Sequence, residues 1–392
     1  MKIGIITYWQ SSDNYGQLLQ CYALQTYLKS LGHDAFLIRY DFANRKVAKS
    51  KWKRILKMLL IYPVIKRIFN RNSKKVERLQ LDELNAKNRT RNFDSFRDEF
   101  IDKTKVLYHS LAELQKNPPI ADVYIAGSDQ VWSQLLDLRE NEVFFLNFGD
   151  KSVKRVSYAA SFGMSEYPQK LLRKLKDNLS RFDSVSVREV DGIHICAKAG
   201  TTAQVVVDPT VLLLADIYKN MSVKYHKKDD YVFVYSLNVS SSDDMYFSVI
   251  KEYAKDKHLN IVVTPASGCL PGLELFGEGV DYDYATIQEW LANIECAHLV
   301  VTTSFHGIVF SILMHTPFVY VPLQGNLAKM NNRAFGLLTS IGLSSRIVDK
   351  KADVRNVISN SIDWHAVDKL VNKSRQKSFE FIKDILKNES SI

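Results

Sequence analysis

The segment T302-T-S-F-H-G-I-V-F-S-I-L-M-H-T-P-F-V319 opens on hydroxyls, sets a histidine beside a glycine and then turns almost wholly apolar. It reads as a strand over 299–302 that feeds a helix over 307–314, with Ser304 and His306 in the bend between them. The first backbone N–H groups of a helix lack partners within it, and the helix dipole is positive at that end, so such a bend attracts anions. Ser304 adds a hydroxyl donor, and Gly307, without a Cβ, lets a ligand approach the backbone. A histidine there can donate to a phosphate or pass a proton to and from a reacting group. The same residues equally suit a plain helix start, with Ser304 as N-cap and His306 satisfied in the first turn.

The elements that hold this bend follow from periodicity. Apolar runs at 3–8 and 35–39 bracket a helix over 17–31 that Gly32 stops. Further strand-like runs lie at 123–126, 155–159, 184–186 and 205–207, and a second set at 231–236, 260–264, 299–302 and 318–321. A βαβ opening followed by more of the same predicts an α/β fold of parallel, doubly wound sheets. At 392 residues the chain is too long for one ordinary core. The aperiodic stretch 214–230 divides it into two Rossmann-like domains facing a cleft, 1–220 and 221–365, followed by a C-terminal helix over 366–392. Ligands of open α/β sheets bind beyond the carboxyl ends of the strands.

Composition narrows the class. Hydrophobic residues at 46% and charged residues at 24% suit a soluble globular protein. Cys21, Cys196, Cys269 and Cys296 show no paired spacing, which argues against a disulfide frame or a zinc site and for a reducing cytoplasm. The N-terminal run reads as a strand rather than a signal peptide, and no apolar run approaches the ~20 residues of a membrane span.

Six turns taken in order carry a family likeness: N14-Y-G-Q-L-L-Q-C-Y-A-L24, A126-G-S-D-Q-V-W132, Y158-A-A-S-F-G163, S186-V-R-E189 with Gly192, D208-P-T210 and T303-S-F-H-G307. Together they resemble the bacterial polysaccharide pyruvyl transferase family, from the N-terminus to about Arg346 with 45–98 as an insert. The resemblance implies a glycosyltransferase-B-like pair of domains. It also implies transfer of pyruvate from phosphoenolpyruvate, as co-substrate and without a cofactor, to two hydroxyls of one sugar as a cyclic ketal. Many members of the family carry an arginine where this chain has Ser304, so Arg188, Lys329 or Arg333 would have to supply that charge.

Under this resemblance His306 becomes a candidate acid or base, and Asp129 a candidate base for the acceptor hydroxyl. Asp129 would serve as well to close a turn before a helix at Val131. Arg188 suits the planar carboxylate of the donor, with Ser304, Gly307, Lys329 and Arg333 around it; a surface ion pair with Glu189 or Asp191 is its ordinary alternative. Asn14, Tyr15, Gly16, Ser128, Gln130, Trp132 and Ser161 are expected to line the acceptor side. Capping of the first helix competes for Asn14, and burial in a core competes for Trp132. D281-Y-D283 invites a metal, but T286-I-Q-E289 after it reads as a capping box, and no metal site is expected. A nucleotide-sugar glycosyltransferase, with Glu274 and Phe276 near the base, and a non-catalytic glycan-binding protein are the rival readings.

The net charge of +10 is local. Residues 45–79 hold thirteen Lys or Arg against one acid, Glu77, a net +12 that leaves −2 for the rest of the chain. Tryptophan, tyrosine and leucine interleave with these cations, which suits an anionic membrane surface and a lipid-linked or nucleotide-linked sugar acceptor at the inner leaflet. No nucleic-acid motif accompanies the charge. A solvated helical hairpin is the plain alternative.

Overall fold

The computed structural model describes residues 1–41, 86–133, 142–222, 224, 230–266 and 275–387. The first sheet holds six parallel strands in the order β2-β1-β3-β4-β5-β6. They are β1 (Lys2–Ile6), β2 (Asp34–Leu37), β3 (Val123–Ala126), β4 (Lys154–Ala160), β5 (Ser184–Val187) and β6 (Gln204–Val205). The second holds β7 (Tyr231–Ser236), β8 (Asn260–Pro265), β9 (Asp281–Tyr282), β10 (Leu299–Thr302) and β11 (Phe318–Tyr320), all parallel, in the order β11-β10-β7-β8-β9. Helices cover both faces of a parallel sheet, so its central strands are apolar along their whole length. β3 and β7 are buried at every position.

Asn14 starts the first helix, Tyr15–Ser30, by accepting from the Gln17 N–H. Gly32, at φ +84°, ends it in the left-handed region that L side chains avoid. No helix forms at Val131, which lies in a turn. The helix Ala215–Ser222 spans position 220; its Tyr218 hydroxyl donates to the Thr210 carbonyl of the first domain at 2.9 Å, and its other contacts run to the second domain. There Tyr218 meets Phe310 edge-on and Ser222 donates to Glu295 at 2.6 Å. The C-terminal helix Trp364–Ile385 then returns to the first domain. Phe379 stacks on Tyr27, Arg375 donates to the Val211 carbonyl, and Ile382 and Ile385 join the core around Ile3, Ile5 and Leu24.

Tyr15 joins the two domains at their centre. Its ring is fully buried and stacks on Trp290 at 5.0 Å, and its hydroxyl donates to the Ala285 carbonyl at 2.6 Å. Arg91 donates to that same hydroxyl at 2.6 Å and to the Pro265 carbonyl. The bends that follow β1, β3, β7, β10 and β11 thus meet across one cleft. The basic segment 45–79 and Glu274 lie outside the described residues.

Candidate active site

The cleft is a cavity of about 390 Å³. Its first-domain wall carries Asn14, Gln17, Asp129 and Gln130, and its second-domain wall Asn238, Ser304, His306 and Arg333. Ser304 caps the helix Phe305–Met314, its Oγ accepting from the Gly307 N–H at 3.3 Å. That leaves the N–H groups of Phe305 and His306 without a partner inside the helix.

Beneath His306 lies Asp208, an almost fully buried carboxylate from the turn after β6. Its Oδ1 accepts from the Thr210 N–H and hydroxyl at 3.1 and 2.7 Å. Its Oδ2 accepts from Arg188 Nη1 at 2.8 Å and Ser128 Oγ at 3.2 Å. His306 Nε2 stands 3.4 Å from the same oxygen, but its alignment falls short of a hydrogen bond. Burial opposes ionisation of Asp208, yet the His306 ring and the Arg188 guanidinium outweigh it and hold the carboxyl far below the usual range. A first-domain carboxylate thereby orients an arginine of its own domain and faces the histidine of the other.

Arg188 is 8% exposed and sits among three carboxylates. Besides Asp208, its Nη2 is 3.8 Å from Asp129 and its Nε 4.0 Å from Glu189. Neither of those nitrogens has a hydrogen-bond partner. Burial works against its charge, but Asp208, Asp129 and Glu189 together strengthen it. Arg333 approaches from the second domain and is pushed down to about 10 by burial and by Arg188, so it remains cationic at neutral pH. The Gln130 amide orientation that satisfies both groups puts its oxygen 2.7 Å from Arg333 Nη2 and 3.2 Å from Nη1. Arg333 Nε is buried without a partner. The Phe305 ring touches both guanidinium groups, at 4.8 Å from Arg188 Cζ and 5.7 Å from Arg333 Cζ. Unpaired buried donors are costly unless something fills them, and two arginines beside a helix start suit a small polyanion.

The structure brings His306, Asp129, Ser304, Arg333, Asn14 and Gln130 to the cleft lining, with Arg188 buried behind it against Asp208 and 3.8 Å from Asp129, and it re-reads the others. Gly307 does not open the backbone to a ligand: a Cβ there would stand 2.5 Å from Thr302 Oγ1, so its bareness seats the helix on β10. Gly16 likewise makes room for a side chain, since a Cβ on it would lie 2.0 Å from His306 Nδ1. Tyr15 is the interdomain joint and lies too deep to touch an acceptor. Trp132 is 1% exposed, stacked on Phe145 and donating to the Phe144 carbonyl, because the first domain's core closes over it. Ser128 and Ser161 are fully buried and point at carboxylates, Asp208 and Glu189, instead of a sugar. Lys329 is exposed on the short helix Gly325–Asn331, away from the cleft lining. Phe276 packs on Phe247 in the second core, away from any base site.

Asp208, Glu189, Phe305 and Gln17 belong to the site, although sequence reasoning gave them no part in it. In the sequence D208-P-T210 is one of the six turns that carry the family likeness, and its carboxylate is given no role there. Glu189 accepts from Ser161 at 2.8 Å and from the Phe162 N–H at 2.9 Å, which leaves Oε2 unpaired. At 281–289 Thr286 and Glu289 form a reciprocal capping box, and Asp283 accepts from Asn293 at 2.8 Å. Among the described residues, no three His, Cys, Asp or Glu side chains are grouped to hold a metal.

Solved structures share this architecture. UDP-N-acetylglucosamine 2-epimerase from Rickettsia bellii matches with a TM-score of 0.54 at 9% identity over 98% of this chain and 96% of that one. A Methanocaldococcus jannaschii UDP-GlcNAc 2-epimerase, solved with UDP-GlcNAc and UDP, matches with a TM-score of 0.50 at 15% identity over 98% and 99%. Likeness at this level shows the fold, which is glycosyltransferase-B-like. No curated protein matches the chain by sequence. A family model for polysaccharide pyruvyl transferase matches residues 14–324, most of the chain. The bend around His306 and the turns that converge on it lie within that match, and the chain belongs to the polysaccharide pyruvyl transferase family.

Proposed function

We propose that this transferase moves pyruvate from phosphoenolpyruvate to two hydroxyls of one sugar in a cell-surface polysaccharide or its lipid-linked precursor, closing a cyclic ketal. The observation that carries the reading is the pair of arginines with unpaired buried nitrogens, Arg188 and Arg333, beside the free helix start at His306. Phosphoenolpyruvate presents a carboxylate and a phosphate on three carbons, and two cations plus free backbone N–H groups complement it.

In the proposed reaction C3 of the enol takes a proton and becomes a methyl group. One sugar hydroxyl adds to C2, the C2–O bond to phosphate breaks, and the second hydroxyl closes the ring at C2. Of the two hydroxyl protons released, one balances that gained at C3 and the other leaves on phosphate. His306 is placed to hold or move one of these protons, with the ionised Asp208 beneath it to balance its charge. Asp129, at the acceptor wall, serves as base for a hydroxyl. The cations are arginines, so the scheme calls for neither metal nor organic cofactor.

We place the reaction at the inner face of the cytoplasmic membrane, with residues 45–79 as the contact to anionic lipid. Sedimentation with anionic liposomes should be lost when residues 50–75 are deleted; equal sedimentation of the deletion and the parent would refute the contact. To test the activity, the protein is incubated with phosphoenolpyruvate and a panel of lipid- and nucleotide-linked sugars. Phosphate release coupled to a pyruvyl mass increment supports the reading. Turnover of nucleotide-sugars without that increment supports a glycosyltransferase instead, and no donor binding at all supports a glycan-binding protein.

A further inference from the structure

The turn 129–133 after β3 is interlocked with the turn 161–163 after β4. The Asp129 carbonyl accepts from the N–H groups of Val131 at 2.7 Å and Ser161 at 3.0 Å, and the Trp132 N–H donates back to the Ser161 carbonyl at 3.2 Å. Asp129 is held there at φ +72°, a region that residues with side chains seldom occupy unless their surroundings fix them. Glu189 secures the second turn. Its Oε1 accepts from the Ser161 hydroxyl at 2.8 Å and from the N–H groups of Phe162 at 2.9 Å and Gly163 at 3.4 Å. Gly163, at φ +63°, leaves the space that Gln130 fills, since a Cβ on it would stand 2.9 Å from Gln130 Cδ.

This frame aims the Gln130 amide oxygen at an arginine of the other domain. That oxygen accepts from both terminal nitrogens of Arg333, at 2.7 and 3.2 Å. The chain that carries Arg333 is anchored from its own side. Asn331 Oδ1 accepts from the Tyr320 hydroxyl at 2.8 Å and the Leu323 N–H at 2.9 Å, and Asn332 donates across the domains to Asp191 at 3.2 Å. The neutrality of Gln130 matters here. Asp208, Asp129 and Glu189 already outnumber the two guanidinium groups. Asp208 is bonded directly to Arg188, whereas among the described residues no carboxylate comes within ion-pair distance of Arg333. An amide oxygen fixes a guanidinium by hydrogen bonds and adds no further negative charge. A glutamate at 130 would pair with Arg333 and compete with an anionic donor for it.

We infer that Gln130 is a positioning residue for Arg333, holding its guanidinium across the domain boundary toward the donor, and is not a contact for the acceptor sugar. The inference rests on the proposed anionic donor and adds to it the group that aims its cation.

The test titrates phosphoenolpyruvate and, separately, inorganic phosphate, with no acceptor present, into the parent, Gln130→Met, Gln130→Glu, Arg333→Gln and the double variant Gln130→Met with Arg333→Gln. Unfolding temperatures verify that each protein is folded. Gln130→Met should weaken phosphoenolpyruvate by about fivefold in the parent and by less than about twofold once Arg333 is gone, a dependence that a merely structural role would not show. Gln130→Glu should weaken it by at least about tenfold. Donor affinity unchanged in Gln130→Met or Gln130→Glu, or weakened equally with and without Arg333, overturns the inference. Should phosphoenolpyruvate fail to bind the parent while inorganic phosphate binds and follows the same pattern, the positioning role stands and the donor assignment falls. Binding of neither anion by the parent overturns both.

Discussion

Asp208 shows what a single carboxylate can organise. It fixes Arg188 by a direct bond at 2.8 Å and faces His306 from the opposite domain. Asp208→Asn should take from Arg188 its one directly bonded carboxylate, leaving Asp129 at 3.8 Å and Glu189 at 4.0 Å, and take from His306 the charge it faces, at a cost of about 3–5 kcal/mol of stability at neutral pH, measured by denaturant unfolding. The sign with pH follows from its depressed folded-state pKa. The stability it gives is complete above the ordinary carboxylate value of about 3.9 and is lost as pH falls from there toward the lower folded value. The Asn variant should therefore lose less stability than the parent as pH falls below about 4, and equal slopes would deny the assignment. His306→Ala should reduce turnover by about 10²–10⁴, read as phosphate release, if the ring moves a proton. Full activity would remove it from the mechanism. None of the long-range partners of Asp208 is written near it in sequence: a D-P-T turn signals local chain reversal and says nothing of an arginine 20 residues earlier or a histidine in another domain. Trp132 and Tyr15 misled for the same reason, because whether an aromatic ring faces solvent or core is settled by the packing around it.

At the scale of elements, the first helix and the His306 helix approach so closely that one glycine separates them. Gly16→Ala would set a methyl 2.0 Å from His306 Nδ1, and the ring or the helix must move. Such overpacking costs about 1–3 kcal/mol. The larger expected effect is on kcat, through misplacement of the ring, with phosphoenolpyruvate affinity changed less. Unaltered kcat together with a normal unfolding temperature would show that the contact is tolerant. The strands were legible because parallel strands buried on both faces are continuous apolar runs. β3, β7 and β10 carry such runs, whereas β9, two residues on an edge, has no such pattern. The glycines at 16 and 307 signalled close approach correctly, but the sequence could not say that the approaching atoms are His306 and Thr302 in place of a ligand.

For the whole molecule, the site exists only where two domains meet: Arg188, Asp129 and Asp208 come from the first, His306 and Arg333 from the second. Tyr15 is the pin between them. Tyr15→Phe keeps the stacking on Trp290 and removes the bonds to Ala285 and Arg91. It should lower stability by about 1–3 kcal/mol, as a buried partner is left unsatisfied. It should also raise KM for the acceptor through looser alignment of the walls, and an unchanged KM would confine Tyr15 to a structural part. The two-domain plan could be read from the recurrence of strand and helix. The crossing of the C-terminal helix back to the first domain could not, since its amphipathic face fits either half. The central claim, that a small polyanionic donor docks between Arg333 and the helix start at His306, is tested most directly by calorimetric titration of phosphoenolpyruvate into the parent protein and Arg333→Gln. The account predicts saturable binding to the parent and an affinity at least about tenfold lower in the variant. Equal affinity of the two, or a parent that ignores phosphoenolpyruvate and binds a nucleotide-sugar, would contradict it.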